Sequence, residues 1–135
     1  MPIGHVSRPM DPDGPDAALG RLEACSADES QLVSVYVPPD RLIDEVIVFL
    51  GDERTEAEEI QCEEHRRDLT RALVRLQDEL ANYDTPPEKG LALFCGRLDG
   101  EWIETTLDTP RAVEAFQYTC DKSFRTETFR ELCSN

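Results

Sequence analysis

Gly90 to Leu107 reads GLALFCGRLDGEWIETTL, and this stretch decides the fold. Leu91 to Cys95 form a compact apolar run suited to an interior strand. Asp99-Gly100 is a strong two-residue hairpin turn, because both positions tolerate positive φ. The return segment alternates Trp102, Glu104 and Thr106 against Glu101, Ile103 and Thr105, as a half-exposed strand should. A β-hairpin of one buried and one half-exposed strand requires further strands beside it and helices over it.

Outward from this hairpin, those partners are present. SQLVSVYVPP, Ser30 to Pro39, is β-branched and aromatic and stops at two prolines, which predicts a strand buried on both faces. AFQYTC, Ala115 to Cys120, is a fourth strand candidate, and TETFRELC after it is a closing helix capped by Thr126 or the residue before it. Between the first strand and the hairpin, Asp40 is placed to cap RLIDEVIVFL. Leu42, Val46, Phe49 and Leu50 make one face of that helix, and Gly51 supplies its stop. Thr55-Glu56-Ala57-Glu58 has the form of a capping box that restarts a long helix. Leu69, Leu73, Leu76, Leu80 and Tyr83 form one stripe on it, over up to about 40 Å at 1.5 Å per residue. The two helices make an antiparallel hairpin with a projecting acidic tip. An earlier short helix, DAALGRLEAC, follows Asp16 as cap. The expected fold class is α/β: a two-layer, four-stranded mixed sheet packed with helices, with strands near 31–37, 91–98, 101–107 and 115–120.

At 135 residues the chain fits one domain. Residues 1–15 carry four prolines and no apolar period, which predicts a disordered tail ahead of a domain at 16–135. The formal charge is -15, with 29 acidic residues against 14 basic, of which only Lys89 and Lys122 are lysines. At roughly 1 M salt the screening length falls to about 3 Å and self-repulsion fades, so the bias reads as adaptation to the salty cytoplasm of a halophile. An acidic mimic of DNA would gather its carboxylates on one face, whereas these are spread through nearly every segment. No apolar run approaches a membrane span and no secretory h-region opens the chain, so a cytoplasmic protein is expected. Five cysteines without a C-x-x-C pair point to reduced thiols.

Phosphate-binding loops, nucleophile elbows and zincin motifs are absent from the 135 residues, and no catalytic residue or cofactor is indicated. Cys62 and His65 share a helical face, but one Cys-x-x-His with no second pair falls short of a metal site, and a solvated helix end is expected. Arg66, Arg67, Arg71 and Arg75 have acidic neighbours and read as helix-stabilising ion pairs of about 0.2 to 0.5 kcal/mol each.

Tyr118-x-Cys120-x-x-x-Phe124, with LVSVYVPP and TPPEKGLALFCG, resembles the N-terminal codon-recognition domain of archaeal and eukaryotic class-1 peptide chain release factors, over about residues 17–133. The resemblance implies a four-stranded sheet with helices, whose helical hairpin carries a Thr-Ala-Ser-Asn-Ile-Lys-Ser stretch that reads the stop codon in the ribosomal A site. Placed without a gap, that stretch falls on Glu56, Ala57, Glu58, Glu59, Ile60, Gln61 and Cys62, so only alanine and isoleucine agree. A family glutamate of the decoding surface is kept as Glu53, whereas a Gly-Thr-Ser element falls on Glu29, Ser30 and Gln31. Gly-Gly-Gln, the hydrolytic motif of the family's middle domain, does not occur in this sequence. The expectation is a non-catalytic termination module that binds at the A site, with weakened or lost codon reading. Its RNA-contact candidates are Glu53, Ile60, Gln61, Cys62, Tyr118, Cys120 and Phe124, and its partners the ribosome, mRNA and other release-factor domains. The alternative is a regulatory domain whose acidic tip binds a basic protein.

Overall fold

The computed structural model describes residues 14–134. Four helices and four strands lie among them: α1 Gly14–Glu23, β1 Leu32–Val37, α2 Ile43–Ala57, α3 Glu63–Leu80, β2 Leu91–Leu98, β3 Glu101–Asp108, β4 Gln117–Asp121 and α4 Glu127–Cys133. Most of the expected tail, residues 1–13, lies outside the described residues. The boundary drawn at residue 15 falls inside α1, which starts two residues before Asp16, its expected cap.

The strands run in the order β3-β2-β1-β4. β2 and β3 are joined at Asp99 and Gly100, whose φ values of 54° and 81° are the left-handed pair that a tight hairpin turn requires. The fold class stands as read, and two details differ. All three strand pairings are antiparallel, so the sheet is not mixed. Helices also cover both faces, which adds a third layer to the two expected. Period-2 alternation explains this. On β1, Val33, Val35 and Val37 face the core under α2 and α3, while Leu32 and Tyr36 face a second core with Leu19 and Leu22 of α1 and Phe129 of α4. A strand buried at every position has two faces to cover, and one layer of helices covers only one of them.

The helical hairpin differs from its expected boundaries. α2 passes through Gly51 without stopping and ends at Ala57. The residue before it in capping position is Leu42, with no side-chain cap, so Asp40 does not serve. Gly51 lies inside the helix facing α3, where a Cβ would meet Gln77 Nε2 at an ordinary contact distance of 3.4 Å. Gln77 locks the two helices by donating to the Ile47 carbonyl at 2.8 Å and accepting from Arg54 Nη1 at 3.0 Å. The Thr55 hydroxyl donates back to the Gly51 carbonyl at 3.3 Å, so the capping box is not formed. Burial of Ala57 and packing of Ile60 against the core place the break at residues 58–62. There the amides of Glu58, Glu59 and Ile60 each bond to the carbonyl three residues back. α3 is therefore 18 residues, about 27 Å rather than 40, and Tyr83 packs beyond its end.

On the opposite face, the Tyr36 hydroxyl donates to the Arg125 carbonyl and accepts from the Phe129 amide at 3.2 Å, tying α4 to β1. Thr126 precedes α4 without capping it. Its hydroxyl lies 3.3 Å from Glu23, which also receives Arg130 at 2.9 and 3.0 Å. These bonds from Arg130 hold the Glu23 carboxyl below the usual carboxylate range.

Candidate nucleic-acid interface

Tyr118 and Cys120 are two residues apart on β4 and share the face under α2, because successive strand residues alternate. Glu53 lies near the end of α2 and brings its carboxylate within hydrogen-bond reach of the Tyr118 hydroxyl, which also reaches the Cys120 sulfur. Three of the residues singled out from sequence thus form one cluster. Phe49, one helical turn before Glu53, packs edge-on against Tyr118 at 5.3 Å and Phe116 at 5.1 Å. Arg41 stands 5.1 Å over the Phe116 ring. The result is a row of half-buried aromatics along the outer edge of the sheet, with a cation at one end and a carboxylate at the other.

Burial lifts the Glu53 carboxyl above its ordinary value, and the negative charges of Glu56 and Asp52 add to that, against the bond from Tyr118. Burial likewise pushes the Tyr118 hydroxyl up, with Cys120 and Glu53 adding. The Cys120 thiol is pushed up to about 11, chiefly by burial, so it is a protonated donor at neutral pH rather than a nucleophile. It donates to the Ser30 carbonyl at 3.1 Å.

The same Ser30 carbonyl receives His65 Nε2 at 2.9 Å, while Nδ1 lies 3.8 Å from the Glu29 carboxylate. A carbonyl can only accept, so Nε2 is the donor in this contact. His65 is therefore not at a solvated helix end, as its sequence neighbours imply; its side chain is only 14% exposed. Gln31 Nε2 donates to the Arg97 carbonyl at 2.6 Å. Gly96 permits this closeness, since a Cβ there would meet Leu32 Cδ2 at 2.6 Å and the Gln31 carbonyl at 3.0 Å. The loop at 29–31 is thus pinned to α3, β2 and β4 together.

Ile60, Gln61 and Cys62 sit at the hairpin tip. Ile60 turns inward onto the core, and its carbonyl accepts from Arg66 at 2.7 Å; Gln61 and Cys62 are exposed, as are Glu56, Glu58 and Glu59. Phe124 does not join the cluster. It is 4% exposed and belongs to the core on the other face of the sheet, 5.9 Å from Phe94, so it supports the fold rather than offering a contact. Among the described residues no group of three or more His, Cys, Asp or Glu side chains is gathered to hold a metal ion. Sequence reasoning put Phe49 on an apolar helix face and His65 at a solvated helix end, gave neither a place beside the site, and did not single out Phe116. The β4 strand candidate that contains Phe116 could have flagged it, but His65 finds its partner 35 residues away.

Residues 16–134 match the family described as eRF1 domain 1. The chain is 30% identical over 115 residues to peptide chain release factor subunit 1 of Picrophilus torridus, covering 82% of this chain and 28% of that protein. It is 32% identical over 116 residues to eukaryotic peptide chain release factor subunit 1-1 of Arabidopsis thaliana, covering 82% and 27%. It therefore spans under a third of the length of these relatives. The crystal structure of the archaeal translation termination factor aRF1 superposes with a TM-score of 0.83 at 28% identity, covering 89% of this chain and 34% of that one. The family match runs nearly the whole described length, and the fold superposes on a solved member: the chain belongs to the eRF1 domain 1 family of peptide chain release factors.

Proposed function

We propose that this chain is a non-catalytic, cytoplasmic module of translation termination, with residues 16–135 as its domain. It enters the ribosomal A site and meets mRNA with the face that carries Glu53, Tyr118 and Cys120. The observation that carries this reading is the convergence of those three side chains, from α2 and β4, beside the hairpin tip. Their hydroxyl, thiol and carboxyl groups sit among half-buried aromatic rings, the combination that stacks and hydrogen-bonds unpaired bases.

Stop-codon discrimination is weakened or lost. Glu59 stands where the family stretch has asparagine and Gln61 where it has lysine, and both are exposed. One exchange turns an amide that donates and accepts into an acceptor-only carboxylate; the other removes a charged donor. Glu56, Glu58 and Glu59 oppose phosphate, and molar salt screens that repulsion without supplying donors. The acidic surface accordingly suits a halophile's cytoplasm.

A second reading draws on the same exposed carboxylates: a regulatory domain whose tip binds a basic protein. Co-sedimentation with small ribosomal subunits and whole ribosomes at molar KCl separates the two. Retention that Tyr118→Ala reduces is the expected result. Absence from the ribosomal fraction, with a basic non-ribosomal protein recovered instead, would replace the first reading by the second.

A further inference from the structure

Arg67, Arg71 and Arg75 follow one another at intervals of four on α3. Like charges so spaced repel and destabilise a helix by about 0.2 to 0.5 kcal/mol per pair. The ion pairs expected to offset this are not made within the helix. Arg67 and Arg71 are exposed and make no side-chain hydrogen bond or ion pair among the described residues. Arg66 bonds the Ile60 carbonyl, Asp68 faces Arg97 at 3.4 Å, and Arg75 leaves the helix for β3. There its guanidinium lies 4.3 Å over the Trp102 ring and 3.0 Å from Glu104. Glu64 and Asp78 bracket the stripe on the same helical face without pairing to it.

Arg75 is compensated by Glu104 and Trp102, but among the described residues Arg67 and Arg71 are held by no side-chain partner, in a chain that has only 14 basic residues against 29 acidic. We infer that the outer face of α3, through Arg67, Arg71 and Arg75, is a docking surface for the phosphate backbone of RNA, separate from the cluster at Glu53 and Tyr118. Guanidinium forks match phosphate oxygens bidentately, and Arg75 is already oriented by its seat on Trp102. The three charges span about 12 Å of helix, enough for a short run of one strand. The acidic tip on one side and Asp78 with Glu79 on the other repel phosphate, so a strand can approach only across the middle of the helix. The inference rests on the ribosome reading above for the source of the RNA, and not for the chemistry of the contact.

Two probes test it: small ribosomal subunits, and a short synthetic RNA duplex of unrelated sequence, each titrated with the whole chain from roughly 0.1 to 1 M KCl. Trp102, the single tryptophan, reports binding to the duplex by its fluorescence. Arg67→Gln with Arg71→Gln keeps strong helix formers, and helical circular dichroism confirms the fold. An Arg21→Gln, Arg125→Gln pair controls for charge alone. The expected result is roughly tenfold weaker binding at low salt for the α3 pair, and a salt slope shallower by about 1.4 to 1.8, with the control close to wild type. Binding of the duplex with this dependence but not of the subunits would uphold the surface and defeat the ribosome reading. Failure of the wild-type chain to bind the duplex would overturn the inference, as would equal binding by the α3 pair and the wild type. So would stripe-dependent binding of poly-glutamate in preference to RNA, which would assign the face to an acidic protein.

Discussion

The two faces of the sheet are built from the same strands and end in opposite ways. Under α1 and α4, Phe94 meets Tyr36 and Phe124 edge-on with Phe129 buried in the same core, and the one buried hydroxyl among them has both a donor and an acceptor. Under α2 and α3 the aliphatic centre is equally dry, but along the β4 edge it opens into Phe49, Phe116, Tyr118, Cys120 and Glu53, half-buried and crowded with groups whose protonation burial has shifted. A closed aromatic core holds the sheet, whereas the open edge leaves hydroxyl, thiol and carboxyl groups half-buried. Sequence motif and spatial role do not coincide here, because Tyr-x-Cys-x-x-x-Phe places its first two residues on the open face and its third in the closed one.

The comparison breaks most easily at the closed face. Phe129→Ala should cost about 3 to 5 kcal/mol in denaturant titrations at molar KCl, whereas Tyr118→Phe at the open edge should cost under about 1. Comparable losses at both would mean that the edge is as much a part of the core as Phe129. Tyr36→Phe should cost about 1 to 3 kcal/mol by the same measurement, since it strands the Phe129 amide and the Arg125 carbonyl.

How legible these faces were in the sequence depended on the range of the interaction. β2, the Asp99-Gly100 turn and β3 followed from period 2 and turn chemistry, which act within a few residues. The hairpin's break did not, because Thr55 to Glu58 has every local mark of a helix start and is overruled by burial of Ala57 and Ile60. The third layer was present in the largely apolar β1, whose two buried faces demand helices on both sides. Of the site, the family resemblance marked Tyr118 and Cys120 by their motif and Glu53 by position, but nothing near His65 in the chain announces the Ser30 carbonyl.

His65→Leu sharpens the comparison at that point. It should cost on the order of 1 kcal/mol and raise amide exchange at Ser30 and Gln31, leaving exchange at Tyr36 and Phe129 unchanged. His65→Gln, which keeps a donor, should restore much of the protection. The smallest effect lies with Glu53. Its carboxyl titrates higher in the folded chain than unfolded, so the folded state holds that proton more tightly. The stabilisation is therefore full below the ordinary value of 4.5 and lost as pH rises through the raised one. Glu53→Gln should be more favourable relative to wild type at neutral pH than in acid, as read from denaturation midpoints across that range. The opposite trend would mean that Tyr118 stabilises the carboxylate more than burial opposes it.

The central claim is that the open face persists as a ribosome-facing surface while the tip beside it no longer reads stop codons. Grafting residues 17–133 onto the middle and C-terminal domains of a working archaeal release factor, and measuring peptide release at stop and sense codons, tests it most directly. The account predicts release that is absent, or strongly weakened and poorly selective for stop codons. Normal release at every stop codon, with sense codons rejected, would contradict it.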